Sequence, residues 1–429
     1  MLTRGFVGSL CLLVGGVLTA VLPRSAWLAG QPEVVHLRAT GVGSVLVVVG
    51  LVVLTVEWLS LCRHAAASRG DAVAEAVGLV RHATLVWCAP LVVAPPLFSL
   101  DGWAYAAQGM LWHLGISPYE HGPGVLQGPV VEAVDPRWLF TPTPYGPVPV
   151  VLGALAAGLT GNPWILVVAH RAFALSGLAL LAWAVPRLAS WTGVNPALAS
   201  ALVLASPLVL VHGVGGLHND LLMVGLMAAA LVVAAERGWW AGALVGGLAA
   251  GVKVPGGLVC IAVALLSLPA AATLAQRFRR LAAVGVVAGG LLLVLGALTG
   301  LGLGWLHGLS VPAHLVTPYT LTARLDASLG APGVVRALGT VVSAAAVVAV
   351  AWRWRTGDRA GAVGAVALMT SVAVLLGPVV QPWYLLWAVP FVAVLPLGAR
   401  LRRVRARPVR SPRRARSDPP PSPAPSSGG

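Results

Sequence analysis

Thr141-Pro142-Thr143-Pro144-Tyr145-Gly146-Pro147-Val148-Pro149 decides how this chain is threaded. The stretch leads into a short apolar run, 147–160, and whether that run crosses a membrane sets the side of every later segment. Four prolines in nine residues lock φ and remove backbone donors, which argues against a regular helix start here. We read 147–160 as a re-entrant or surface helix within one large outer loop, about residues 99–167. Candidate spans, each needing roughly 20 apolar residues, begin near residues 5, 41, 83, 168, 196, 220, 238, 255, 281, 333, 360 and 383. These twelve spans place the arginine clusters at Arg63/Arg69/Arg81, Arg187, Arg237, Arg277/Arg279/Arg280 and Arg353/Arg355/Arg359 on the cytoplasmic side, with both termini. A crossing at 147–160 would invert that pattern. Arg24, Arg38, Arg171, Lys253, Arg324 and Arg336 are the cations left on the other side.

Composition agrees with this class. Of the 429 residues 58% are hydrophobic and 10% charged, and the mean hydropathy is +0.87. No soluble domain of this size covers itself with so little polar surface. The fold class expected is all-α: a polytopic transmembrane bundle over residues 1–399 in a plasma membrane. The formal charge of +15 is no nucleic-acid signature, because the basic residues sit in short clusters between apolar runs. Residues 400–429 are rich in arginine, proline and serine and read as a disordered cytoplasmic tail. Cys11, Cys62, Cys88 and Cys260 lie in or at the ends of apolar runs without a CxxC pair, so they are expected as small core residues. The first apolar run, about 5–22, is expected to be a retained helix rather than a cleaved signal.

Asp101 is the polar residue that most needs a reason. It stands at the outer end of an apolar run, in Leu97-Phe98-Ser99-Leu100-Asp101-Gly102-Trp103-Ala104-Tyr105-Ala106-Ala107-Gln108-Gly109, in a chain with 13 acidic residues. A carboxylate there is costly unless it caps, pairs or does chemistry. Trp103, Ala107, Met110, Leu111 and Leu114 recur at helical spacing, so 102–114 is expected as a helix lying in the interface. His170-Arg171, His218-Asn219-Asp220, Lys253 and Gln381-Pro382-Trp383-Tyr384 fall on the same predicted face. Each also has a plainer explanation: Asp101, Asn219 and Asp220 as helix caps, Arg171 as a partner of Asp220 or a snorkelling side chain, Lys253 as a loop end, Trp383 and Tyr384 as headgroup-level aromatics.

The succession Asp101-Gly-Trp-Ala-Tyr-Ala-Ala-Gln-Gly, Ile116-Ser-Pro-Tyr119, Thr141-Pro-Thr-Pro-Tyr-Gly-Pro147, His170-Arg171, His218-Asn-Asp220, Gly251-Val-Lys-Val-Pro255 and Gln381-Pro-Trp-Tyr-Leu-Leu-Trp387 resembles the actinobacterial polyprenol-phosphomannose-dependent α-1,6-mannosyltransferases. These are membrane glycosyltransferases of the GT-C type that build the mannan core of lipomannan-like glycolipids. The resemblance runs from about residue 83 to 390; the N-terminal spans and the tail add nothing to it.

The resemblance implies an integral membrane enzyme with its site on the extracytoplasmic face. Its donor would be polyprenyl phosphomannose and its acceptor a mannoside or glycolipid, joined α-1,6 with inversion. Asp101 takes the place of the catalytic base. Substrate contacts fall to Tyr105, Gln108, Tyr119, Tyr145, His170, Arg171, His218, Asn219, Asp220, Lys253, Gln381, Trp383 and Tyr384. Arg171, assisted by Lys253 or His218, would meet the leaving phosphate. Many relatives carry a second acidic residue beside the base; here that position is Gly102. No cofactor is expected and no metal is predicted, although Asp101 and Asp220 would be the place for a divalent cation. A lipid-linked sugar flippase is the competing class, but it usually shows internal repeats and midspan polar residues, and neither is evident. A catalytically dead paralogue is the third.

Overall fold

The computed structural model describes residues 1–308 and 317–396; the tail from 400 lies outside the described residues. All regular structure among them is helical. Each expected span start falls in or beside a helical segment, and fewer than twelve helices among the described residues reach span length by themselves. Seven helices have the length and apolarity of a span: Leu2–Thr19, Val42–Ala67, Ala72–Val92, Pro163–Thr192, Leu274–Thr299, Val334–Arg353 and Arg359–Leu376. An eighth is the pair Pro196–Leu204 and Leu208–Gly215, bent by 47°. Trp239–Val252 and Val254–Leu266 are shorter apolar helices. The expected last span is a turn of 3₁₀ helix, Pro382–Trp387, followed by Val389–Ala393.

The proline-rich stretch behaves differently from the expectation at one point. A helix, Pro147–Ala157, does begin in it, with Pro147 at its first position. Proline is accepted there because the first-turn N–H groups have no intrahelical partner anyway. At 11 residues the helix rises only about 16 Å, too little to cross a bilayer of roughly 30 Å.

The helix Asp101–His113 is not an interfacial one. Residues 101–109 are buried on every side. One face packs on Pro147–Ala157, and Gly109 makes that approach possible. A Cβ at 109 would stand 2.5 Å from the backbone carbon of Gly153. Gly109→Ala is therefore expected to cost about 1–3 kcal/mol by overpacking, read as lower abundance and a lower thermal midpoint in detergent; unchanged values would contradict this packing.

Most cations on the wrong side of the charge pattern have local reasons. Arg38 donates to the carbonyls of Val17 and Ala20, at the C-terminal end of the first helix. Arg336 pairs with Asp326 at 3.3 Å, and Lys253 with Asp220 at 2.9 Å. The four cysteines are free, two of them buried, as expected of core residues.

Candidate active site

Asp101 owes its aim to a strained approach. Leu97 N–H donates to the carbonyl of Gly215 at 3.2 Å, and the next residue, Phe98, takes φ +59°; Leu217, packed over Gly102, takes φ +45°. Left-handed backbone at a non-glycine residue costs on the order of 1–3 kcal/mol and concentrates at functional sites. Ser99 Oγ then accepts the Asp101 N–H at 3.1 Å, so the hydroxyl meets a free N–H of the first turn. The Asp101 carboxylate makes no cap bond. Its Oδ1 accepts from Trp138 Nε1 at 3.0 Å, and its Oδ2 lies 3.7 Å from His218 Nδ1. Burial pushes the carboxyl up to about 6, against the opposing pull of the Trp138 bond and the Lys253 charge. The capping explanation for Asp101 therefore fails on geometry.

The proline-rich stretch supplies the second wall. Gly146 N–H donates to the Val252 carbonyl at 3.1 Å, and the chains touch so closely that a Cβ at 146 would lie 2.2 Å from the Gly251 carbonyl oxygen. That contact sets Tyr145 beside Lys253. The Lys253 ammonium lies 2.9 Å from Asp220 Oδ1 and 4.2, 5.2 and 5.4 Å from the ring centroids of Tyr384, Trp387 and Tyr145. Trp387 Nε1 donates to the same Asp220 oxygen at 2.5 Å. Asp220 Oδ2 is buried with no hydrogen-bond partner among the described residues. The alternative of an Arg171–Asp220 pair is thus replaced by Lys253–Asp220, and the partner came from a loop rather than a span.

His218 stacks on Trp383, with centroids 3.8 Å apart and rings 13° from parallel. Its Nδ1 is 3.4 Å from the Tyr105 hydroxyl, which shares a 2.9 Å hydrogen bond with Tyr145. Trp383 and Tyr384 both line the cavities beside Asp101. Two cavities, of about 600 and 300 Å³, share Asp101, Trp138, Gln381 and Trp383. The larger adds Ser99, Asp135 and Arg137; the smaller adds Lys253, Tyr384 and an apolar wall including Val254, Pro255 and Val379.

Several expected site residues lie elsewhere. Arg171 is fully buried and donates to the carbonyls of Val92, Val214 and Gly215 at 3.0–3.2 Å. It ties down the bent segment behind Asp101 and lines neither cavity, which corrects its assignment to the leaving phosphate. Two of these acceptors end a wide π turn after Pro207, Leu208–Gly215, and the third, Val92, ends the helix Ala72–Val92, where the last carbonyls lack a regular helical partner. His170 bonds the Leu166 carbonyl at 2.8 Å and packs under Tyr105, one layer away from the cavities. Tyr119 belongs to a separate small cluster with Val150 and Leu301. Gln108 is held by Thr143 at 3.0 Å, and Asn219 is buried at the start of the Asp220–Arg237 helix without capping it. Asp101 and Asp220 keep separate partners, and among the described residues no three His, Cys, Asp or Glu side chains gather as metal ligands. Gly102 has no room for a second acid: its Cβ would meet Leu217 and Pro96 at 2.8 Å.

Trp138 and Trp387 were not expected as site residues. Their only signals were Asp135-Pro136, a cap followed by a first-turn proline, and the end of the Gln381 motif.

A sequence profile described as alpha-(1->6)-mannopyranosyltransferase, N-terminal domain, matches residues 2–269. This chain belongs to that family. A second profile, the MptB C-terminal domain, matches residues 313–406. The chain is 31% identical to alpha-(1->6)-mannopyranosyltransferase A of Mycobacterium tuberculosis over 94% of its length and 81% of the relative's. It is 27% identical to alpha-(1->6)-mannopyranosyltransferase A of Corynebacterium glutamicum, over 90% of this chain and 84% of that one. No solved structure matches. It is a multi-pass membrane glycosyltransferase of the mannosyltransferase class. The family match includes the first spans, which the motif resemblance had left out. Gly16, Thr19, Ala20 and Val21 line the larger cavity, and Trp103 Nε1 donates to the Val21 carbonyl at 3.2 Å.

Proposed function

We propose that this mannosyltransferase moves mannose from polyprenyl phosphomannose to a mannoside acceptor, forming an α-1,6 linkage with inversion, in the synthesis of lipomannan-type glycans. The observation that carries the reading is one buried carboxylate shared by two cavities, of which the smaller combines a buried ammonium with apolar walls. A lipid phosphate asks for such a pairing: a cation for its oxygens and apolar surface for its first isoprene units.

In this reading the donor phosphate lies against Lys253, whose ammonium carries donors beyond the one bonded to Asp220. The acceptor 6-hydroxyl sits within hydrogen-bond reach of Asp101. Its oxygen forms the new bond to the anomeric carbon as its proton passes to the Asp101 carboxylate. The bond from that carbon to the phosphate oxygen breaks with its electron pair, and Lys253 stabilises the charge that grows there. No step runs through a metal or other cofactor. The arginine pattern supports a site on the extracytoplasmic face of the plasma membrane, with cytoplasmic termini.

The test is transfer of radiolabelled mannose from polyprenyl phosphomannose to an α-1,6-mannobioside by membranes containing the protein. Product expected to be released by α-1,6-mannosidase would support donor and linkage; unlabelled acceptor would overturn both. A base that must be ionised with its carboxyl near 6 makes kcat/KM fall as pH drops through that value. Trp138→Phe removes a hydrogen bond that favours the ionised form, so the acid limb is expected to move to higher pH. A limb that stays in place would separate Trp138 from the base.

A further inference from the structure

The larger cavity has features that the donor does not use. Arg137, whose side chain is 67% exposed, stands in its wall, and one short segment supplies Asp135, Arg137 and Trp138 together, beside Ser99, Thr317 and Gln381 from elsewhere in the chain. Arg137 Nε and one terminal nitrogen bond the two Asp135 oxygens at 3.0 and 2.7 Å. The Arg137 N–H bonds Asp135 as well, at 2.9 Å. These bonds hold the Asp135 carboxyl below its usual range. The charges cancel within the fork, but its second terminal nitrogen and the spare carboxylate lone pairs remain available. The next residue, Trp138, donates to Asp101, so the fork is one residue from the proposed base. Phe98, half exposed, Trp138 and Trp383 add aromatic faces.

We propose that this outer chamber is the acceptor subsite, and that the Asp135–Arg137 fork selects an uncharged mannoside chain by bonding its hydroxyls. The assignment rests on the mannosyl-transfer reading above. Three arguments carry it. A self-neutralised, rigid fork offers donors and acceptors together, which suits vicinal hydroxyls and not an anion. An elongating glycan must leave its unreacted sugars outside the protein, and the larger chamber is rimmed by the exposed Phe98, Arg137 and Tyr319, whereas the smaller one is walled mainly by apolar side chains beside Lys253. Acceptor and leaving group must also approach the anomeric carbon from opposite sides, and the two cavities adjoin at Asp101, Trp138, Gln381 and Trp383 while the rest of their walls comes from different residues.

The experiment measures KM for donor and acceptor separately, together with donor hydrolysis by water, in wild type, Arg137→Gln and Ala20→Phe. Ala20 lines the chamber from the N-terminal spans and shares no partner with the fork, so its variant tests the chamber even if Arg137→Gln fails to fold. Both variants are expected to raise acceptor KM about ten-fold or more, with donor KM and hydrolysis unchanged. Inorganic phosphate is expected not to compete with the acceptor. A raised donor KM, an unchanged acceptor KM in both variants, or phosphate competition against the acceptor would each overturn the subsite. Absence of transfer by the wild type would instead sink the mannosyl-transfer reading beneath it.

Discussion

Asp101→Asn is expected to lower mannosyl transfer by about 10²- to 10⁴-fold, the range that a positioned general base contributes. The substitution preserves shape. An asparagine oxygen still accepts from Trp138 Nε1, now 3.0 Å from Asp101 Oδ1, so the helix start at Ser99 and the cavity walls have no reason to move. What disappears is the ability to take a proton. Abundance in the membrane and thermal midpoint should match the wild type while turnover collapses at every pH. Transfer within ten-fold of wild type, with equal abundance, would remove Asp101 from the proposed chemistry and would revive a purely structural role.

Lys253 carries the second large effect, and here structure and catalysis must be pulled apart. Lys253→Met leaves Asp220 buried and unpaired, with one oxygen already lacking a partner. Breaking such a pair costs about 3–5 kcal/mol, enough to deplete the protein by misfolding alone. Lys253→Met combined with Asp220→Asn removes both charges and still leaves Trp387 Nε1 an acceptor. The double variant is expected to recover abundance but not activity, remaining on the order of 100-fold below wild type or lower, because the leaving phosphate has lost its cation. Recovery of both together would mean that Lys253 serves only to neutralise Asp220.

The polar residues of this site were legible because an apolar chain makes each of them conspicuous. Asp101, His218, Asp220, Lys253, Trp383 and Tyr384 stood out against their surroundings, and the structure gathers them around two adjoining cavities. Arg171 was equally conspicuous and turned to a different task. Its charge invited a phosphate, while its place between the π turn and the end of the Ala72–Val92 helix gave it three carbonyls, and nothing in local spacing distinguishes those fates. Trp138 shows the reverse. A tryptophan in a membrane protein's loop has an ordinary reason to be there, so its bond to Asp101 left no mark in the sequence. Gly102 read as a missing acid; the space around it shows that Leu217 and Pro96 occupy the place where a side chain would go.

Hydropathy and charge, which act residue by residue, were enough to establish an all-helical membrane protein and a Pro147–Ala157 helix too short to be a span. Ordered motifs were enough for the family. Tertiary structure alone decided how many helices reach span length, that Asp101–His113 is buried, and which cation faces a cavity. Those outcomes depend on which groups from distant parts of the chain come within a few ångströms, as Gly146 does with Gly251 and Lys253 with Asp220. A buried charge is held by whatever partner packing brings to it, and that partner is set by contacts across the fold.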